Sequence, residues 1–256
     1  MSRFQKTLSS TIGKKLIMSL TGLFLSLFLI IHLAGNLQLF KDDGGQAFNE
    51  YAYTMTHFAP IKVVSYLLYL SIIAHAVYAL IVTLRNKKAR PIGYAQYNGA
   101  ANSKWNSRNM GLLGTIILIF IVIHMNGFWY TYHFRELPYV EYRTNIETGE
   151  TSSKEISAAE FHEFTSFDTD SEQVVRAKNL YAVVDFAFQT WWLVAFYVLA
   201  MAALGFHLAH GFNSAFRTLG MNHHRYAPVV KKIGIYIFGV LIPLGFAAMP
   251  LYFFFK

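Results

Sequence analysis

The chain has 256 residues, 54% apolar and 17% aromatic but only 14% charged, where soluble domains carry about a quarter charged residues; a soluble core is excluded and an integral membrane protein is expected. Cysteine is absent, which excludes thiolate-bound iron–sulfur clusters, haem attachment through C-x-x-C-H and disulfides. The net charge of +8 is carried largely by short loops between apolar runs, so it reads as a membrane-topology signal rather than a nucleic-acid surface.

The first apolar run, residues 16–40, follows Arg3, Lys6, Lys14 and Lys15. It exceeds the ~7–15 residue core of a signal peptide and lacks an A-x-A site, so a retained membrane helix is expected. A polar segment with Lys41, Asp42, Asp43 and Glu50 and a short interfacial helix through NEYAYTMTHFAP precede the second span, 61–84. Arg85, Lys87, Lys88 and Arg90 follow. The stretch 91–109 has the Gly, Asn and Ser content of a loop and leads into the third span, 110–132.

Residues 133–185 are rich in Asp and Glu and read as a hydrophilic outer loop, with short surface helices expected in SAAEFHEF and SEQVVRAKNLYAVV. The fourth span, 186–216, is longer than a bilayer needs and is expected to tilt or protrude. A basic loop, 217–232, separates it from the fifth span, 233–255, where Pro243 and Pro250 predict a kink and a frayed end. The expected fold is an all-α integral membrane protein, a single membrane domain over residues 1–256 with five transmembrane helices, the first four in an antiparallel bundle.

Charge orients the spans. The N-terminal segment, the 85–108 loop and the 217–232 loop hold 14 basic residues and no acid, whereas all 14 Asp and Glu lie in the alternate segments. The positive-inside rule then places the N-terminus in the cytoplasm and, after five spans, Lys256 outside.

Four spans each carry a histidine near the middle or in the outer half: His32, His75, His124 and His207. An ionisable residue at bilayer depth is costly and marks function. His32 lies 17 residues from Lys15 and His124 lies 16 from Arg108, which is roughly 24–26 Å of helix from the cytoplasmic end. His75 and His207 each lie 10 residues from the arginine that follows, Arg85 and Arg217, or about 15 Å. Two pairs at two matched depths fit two bis-histidine b haems, whose neutral imidazoles fill both axial positions.

Small residues near the candidates, Ala34, Gly35, Ala74, Ala76, Gly127, Gly205 and Gly211, would give a macrocycle room, and they also serve ordinary helix packing. His210 lies one turn from His207 and is the alternative ligand in the fourth span; depth favours His207. His57, His133 and His162 fall in outer segments and His223 and His224 in an inner loop, and they receive no role. Trp129, Gln189, Trp191 and Trp192 near helix ends read as interface anchors, with a quinone pocket as the alternative.

The stretches SLTGLFLSLFLIIHLAGN, SIIAHAVYAL, GTIILIFIVIHMNGFW and GFHLAHGFNSAFRTLG, each around one of the four histidines, resemble the cytochrome b membrane anchor of succinate dehydrogenase (succinate:quinone oxidoreductase), of the single-chain, two-haem kind also found in some fumarate reductases. The resemblance covers all five spans and lies in the order and spacing of the histidines. It implies that His75 and His207 bind the iron of the haem nearer the cytoplasm and His32 and His124 that of the outer haem. His207, Gly211 and Gly220 reproduce the spacing around the family's fourth ligand. His210 then becomes a contact to a haem propionate or to quinone. The long acidic outer loop departs from more compact members.

The resemblance further implies docked flavoprotein and iron–sulfur subunits on the cytoplasmic face of a bacterial membrane. The dicarboxylate chemistry would lie on the flavoprotein, and electrons would pass through the haems to membrane quinone, menaquinone in many two-haem members. Lys14, Lys15, Arg85, Lys87, Lys88, Arg90 and Arg225 would face a docking surface or haem propionates. The competing readings are the cytochrome b subunit of another quinone-linked dehydrogenase, such as a hydrogenase or formate dehydrogenase, and a haem-free transporter. A proton-relaying transporter would need intramembrane carboxylates, and no Asp or Glu lies in the central part of any span.

Overall fold

A computed structural model of the chain describes residues 10–89 and 98–256. Arg3, Lys6, Arg90 and loop residues 91–97 lie outside these. In chain order the elements are α1 (Thr11–Asn36, prolonged by a tighter 3-10 turn, Leu37–Phe40), α2 (Gln46–His57), α3 (Ala59–Lys88) and α4 (Met110–Phe134). Strands β1 (Tyr139–Asn145), β2 (Thr151–Ile156), β3 (Thr165–Asp168) and β4 (Glu172–Lys178) follow. Then come α5 (Leu180–Phe188), α6 (Trp191–Thr218) and α7 (Ala227–Phe255).

Helices α1, α3, α4, α6 and α7 are long and apolar enough to cross a membrane. The protein is mostly helical but not all-α, because the 133–185 segment holds a four-stranded antiparallel sheet of order β2-β1-β4-β3. The expected surface helix in SEQVVRAKNLYAVV is strand β4 followed by the first turns of α5. SAAEFHEF has no helix longer than a turn. Val, Tyr and Thr at alternating positions favour the pleated surface, and the charges that resemble a helix surface occupy the other face. Val140 and Tyr142 of β1 lie opposite Ala177 and Val175 of β4. Val140, Tyr142 and Val175 form a buried cluster, with Phe164 packed against it.

The chain forms two compact units, each built from sections of the long helices. The first takes the described chain up to Ile30, Ser65–Phe120 and Val198–Ala247; the second takes Ile31–Val64, Ile121–Tyr197 and Ala248–Lys256.

In the first unit α6 and α7 cross at glycines. A Cβ on Gly205 would come within 2.6 Å of the Gly239 carbonyl oxygen, and one on Gly239 within 2.9 Å of the Ala209 methyl. Pro243 has no N–H to donate to the carbonyl of Gly239, four residues earlier. The helix widens to π winding over Gly234–Leu241 just before it. Helix α7 nonetheless continues to Phe255 with Pro250 buried inside it, so its end is wound rather than frayed.

In the second unit the polar segment after α1 turns on Gly44 and Gly45, at φ 64° and 92°, a conformation that glycine adopts without a side-chain clash. Asp43 then accepts hydrogen bonds from the Gly45 and Ala47 amides, starting α2. Asn49 of α2 is 1% exposed. Its amide nitrogen donates to the Tyr142 hydroxyl (2.8 Å) and to Asn179 Oδ1 (3.1 Å), and its oxygen accepts from the Tyr181 amide (3.0 Å). One side chain thereby joins α2, the sheet and the start of α5. Asn179 also caps α5 by accepting from the Ala182 amide.

The fourth span differs from its expected bounds. Residues 186–188 belong to α5, and the new helix α6 starts at Trp191. The Gln189 side chain holds this break by donating to Asp185 and to the Phe253 carbonyl.

Candidate metal-ligating histidine pairs

His75 of α3 and His207 of α6 face each other within the first unit, ring centroids 6.3 Å apart. The residues that shape this pair come from α1 and α4. Thr21 Oγ1 donates to the Ile17 carbonyl at 2.7 Å and stands 3.1 Å from His75 Nδ1. With its proton on that carbonyl, the hydroxyl oxygen would accept a hydrogen from Nδ1 and leave Nε2 its lone pair.

Gly22, beside Thr21, leaves room for the ring: a Cβ there would sit 3.2 Å from His75 Cε1. Gly114 of α4 does the same for His207, at 3.6 Å from its Cε1. His207 Nδ1 is buried without a hydrogen-bond partner.

His32 of α1 and His124 of α4 pair within the second unit, ring centroids 5.8 Å apart and planes at 87°. Asn36 donates to the His32 carbonyl at 2.7 Å, and the same amide nitrogen lies 3.3 Å from His32 Nδ1. The Tyr197 hydroxyl lies 3.4 Å from His124 Nδ1. Tyr197 is buried, and with Phe128 and Phe188 it makes an aromatic wall, ring centroids 5.1–6.4 Å apart. The helix changes to π winding immediately after His124, over Met125–Tyr130. The surroundings of the two pairs therefore differ, small residues in the first unit and aromatic rings in the second.

Among the described residues, no three or more His, Cys, Asp or Glu gather as a metal nest. Two axial ligands suffice for a haem, because the macrocycle supplies the other four nitrogens. With about 2 Å per metal–imidazole bond, an iron between two imidazoles sets the ring centroids roughly 6 Å apart, close to both observed separations. The glycine-lined approach to the first pair and the Thr21 hydroxyl beside His75 Nδ1 also suit ligation through Nε2. The residues present fit a bis-histidine haem.

The ring partner of His75 is His207. His210 lines a cavity of about 350 Å³ with Arg217 and Lys231. Of the small residues noted from sequence, Gly205 faces α7, Gly35 faces the Tyr51 ring and Gly211 reaches the tip of Met110, while Gly127 has open space around it. Gly22, Thr21, Gly114 and Tyr197 join the pairs without having stood out in the sequence. The one local signal for them is a threonine–glycine pair within an apolar span, its glycine 10 residues before His32.

Lys14 is 5% exposed, and its ammonium group has no hydrogen-bond partner. His57 and His133 bond to carbonyls four residues earlier, and His223 stacks on Tyr226 with His224 tilted against it. Trp191 and Trp192 are exposed, as interface anchors are. Comparison with protein-family models, curated proteins and solved structures finds no match for this chain.

Proposed function

We propose that the chain is the membrane-anchoring, di-haem cytochrome b subunit of a succinate:quinone oxidoreductase. In this reading it lies in a bacterial cytoplasmic membrane with its N-terminus inside and Lys256 outside. A flavoprotein carries out the dicarboxylate chemistry, and an iron–sulfur subunit docks on the cytoplasmic face. The observation that carries the reading is the pairing itself: four solitary histidines from four apolar helices meet two by two, each pair inside one compact unit, at a ring separation suited to one iron.

Each bound haem would supply one-electron transfer between the docked subunit and membrane quinone, for which menaquinone is the proposed species. The chain's own groups do the rest. His75 with His207, and His32 with His124, would each hold one haem iron, which suits electron carriage rather than binding of oxygen or substrate. Thr21 would hold the His75 ring by accepting from Nδ1. Tyr197, Phe128 and Phe188 keep water from the second pair.

The test is the haem-to-protein ratio of the purified chain. Two b haems per chain are expected, and none would reject the reading. His75→Ala and His124→Ala should each remove a spectroscopically different haem; loss of the same one in both would reject the pairing.

A further inference from the structure

We propose that the cavity between α6, α7 and the turn before α4 binds the phosphodiester headgroup of an anionic phospholipid. Its volume is about 350 Å³, within the range of small-ligand sites. Lys104, Arg217 and Lys231 supply three permanent positive charges around it, and His210, Asn213 and Ser214 add neutral or titratable hydrogen-bonding groups.

Among the described residues no acidic side chain lines the cavity to balance those charges. The sequence has no Asp or Glu from residue 51 to 135 or from 186 to 256, and the ion pairs among the described residues all lie in the sheet. Three converging cations without a counter-charge repel one another, and an anion between them removes that cost.

The position selects a lipid over a soluble anion. Arg217 is the first charged residue after the apolar run of α6, and His210 lies seven residues further in, about 10 Å along the helix. The cavity therefore spans the depth of a headgroup layer. Beside it, Trp105 and Phe206 stand exposed at 52% and 53% with their rings 5.5 Å apart, and Tyr236 is exposed next to the lining residue Ile235. Charge at the mouth and exposed aromatic surface alongside match a ligand that has both an anionic head and acyl chains. Basic pockets between helices on the cytoplasmic side hold lipid headgroups in this manner. Neither histidine pair lines the cavity, so lipid binding there is independent of the haem reading.

The test uses the full chain in nanodiscs of equal phosphatidylglycerol and phosphatidylcholine, with lipid retention read by native mass spectrometry and by spin-labelled lipids. Retained phosphatidylglycerol should exceed phosphatidylcholine. Arg217→Gln with Lys231→Gln should weaken that preference by roughly fivefold per charge removed, whereas Lys41→Gln, outside the cavity and in a segment of the opposite side, should leave it unchanged. If the double variant does not fold, Lys104→Gln alone carries the test, with roughly a fivefold loss expected. Equal retention of the two lipids would overturn the proposal. So would full displacement of phosphatidylglycerol by inorganic phosphate, which would make the cavity a site for free anions. Loss of haem without change in lipid retention would assign these cations to the haem instead.

Discussion

Thr21 Oγ1 lies 3.1 Å from His75 Nδ1, and its proton already belongs to the Ile17 carbonyl. A hydroxyl on one helix is thereby placed to accept a hydrogen from a ring on another. Thr21→Val keeps the shape and removes the acceptor. We expect about a tenfold weaker hold on the haem at this pair, read as partial loss of, or a changed midpoint potential for, one of two spectroscopic components. Thr21→Ser should restore it. An unaltered redox titration for Thr21→Val would detach Thr21 from the ligand set.

Gly22 tests the same pair by volume. A leucine there must displace the His75 ring, since even its Cβ would lie 3.2 Å from Cε1. Under the di-haem proposal, Gly22→Leu should lose the haem of the His75–His207 pair and keep the other. Gly127→Ala, in open space, should keep both. The haem-to-protein ratio of each variant decides it, and two haems retained in Gly22→Leu would count against a haem approach along Gly22.

The sheet carries a titratable clamp. Glu141 is 6% exposed and receives hydrogen bonds from Arg176 at 2.6 Å and Arg143 at 2.9 Å. Burial raises its pKa, but the bonds and charges of the two arginines outweigh this and hold it below the usual carboxylate range. A depressed folded-state pKa gives stability that is present above the unfolded value, about 4.3, and is lost as pH falls through the lower folded one. The sheet's resistance to thermal unfolding should therefore weaken on acidification through that window. Glu141→Gln should lower stability at neutral pH by roughly 2 kcal/mol and flatten the acid dependence; an unchanged slope would exclude Glu141 as its source.

Asn49 is the buried junction of α2, the sheet and α5. Asn49→Leu leaves the Asn179 side-chain oxygen and the Tyr181 amide each short of a partner and should cost roughly 2–4 kcal/mol. Limited proteolysis should then cut between residues 133 and 185 much faster than in the parent protein, with haem content of the His75–His207 pair unaffected. Equal cleavage rates would show that other contacts hold the layer closed.

The spans and the four histidines are legible in the sequence because apolar length and a lone polar residue are local properties. The sheet is less so. In SEQVVRAK the charges suit a helix surface as well as a strand, and the choice depends on Val175 meeting Tyr142, a partner 33 residues away in the chain. The break before α6 is masked by apolar residues on both sides of Gln189 and Thr190, and Phe253, which Gln189 holds, belongs to another span. Gly22 and Gly205 look alike in sequence. One faces an imidazole and the other a carbonyl of α7, which only the packed helices distinguish.

The Asn49 bonds join residues 93, 130 and 132 positions apart. During synthesis the last partners of Asn49 arrive only after three spans and the whole sheet have been made, so its side chain must wait, unpaired, through much of the chain's elongation. Closing of this layer is consequently a late event in biogenesis, and Asn49→Leu should appear first as a defect in assembly.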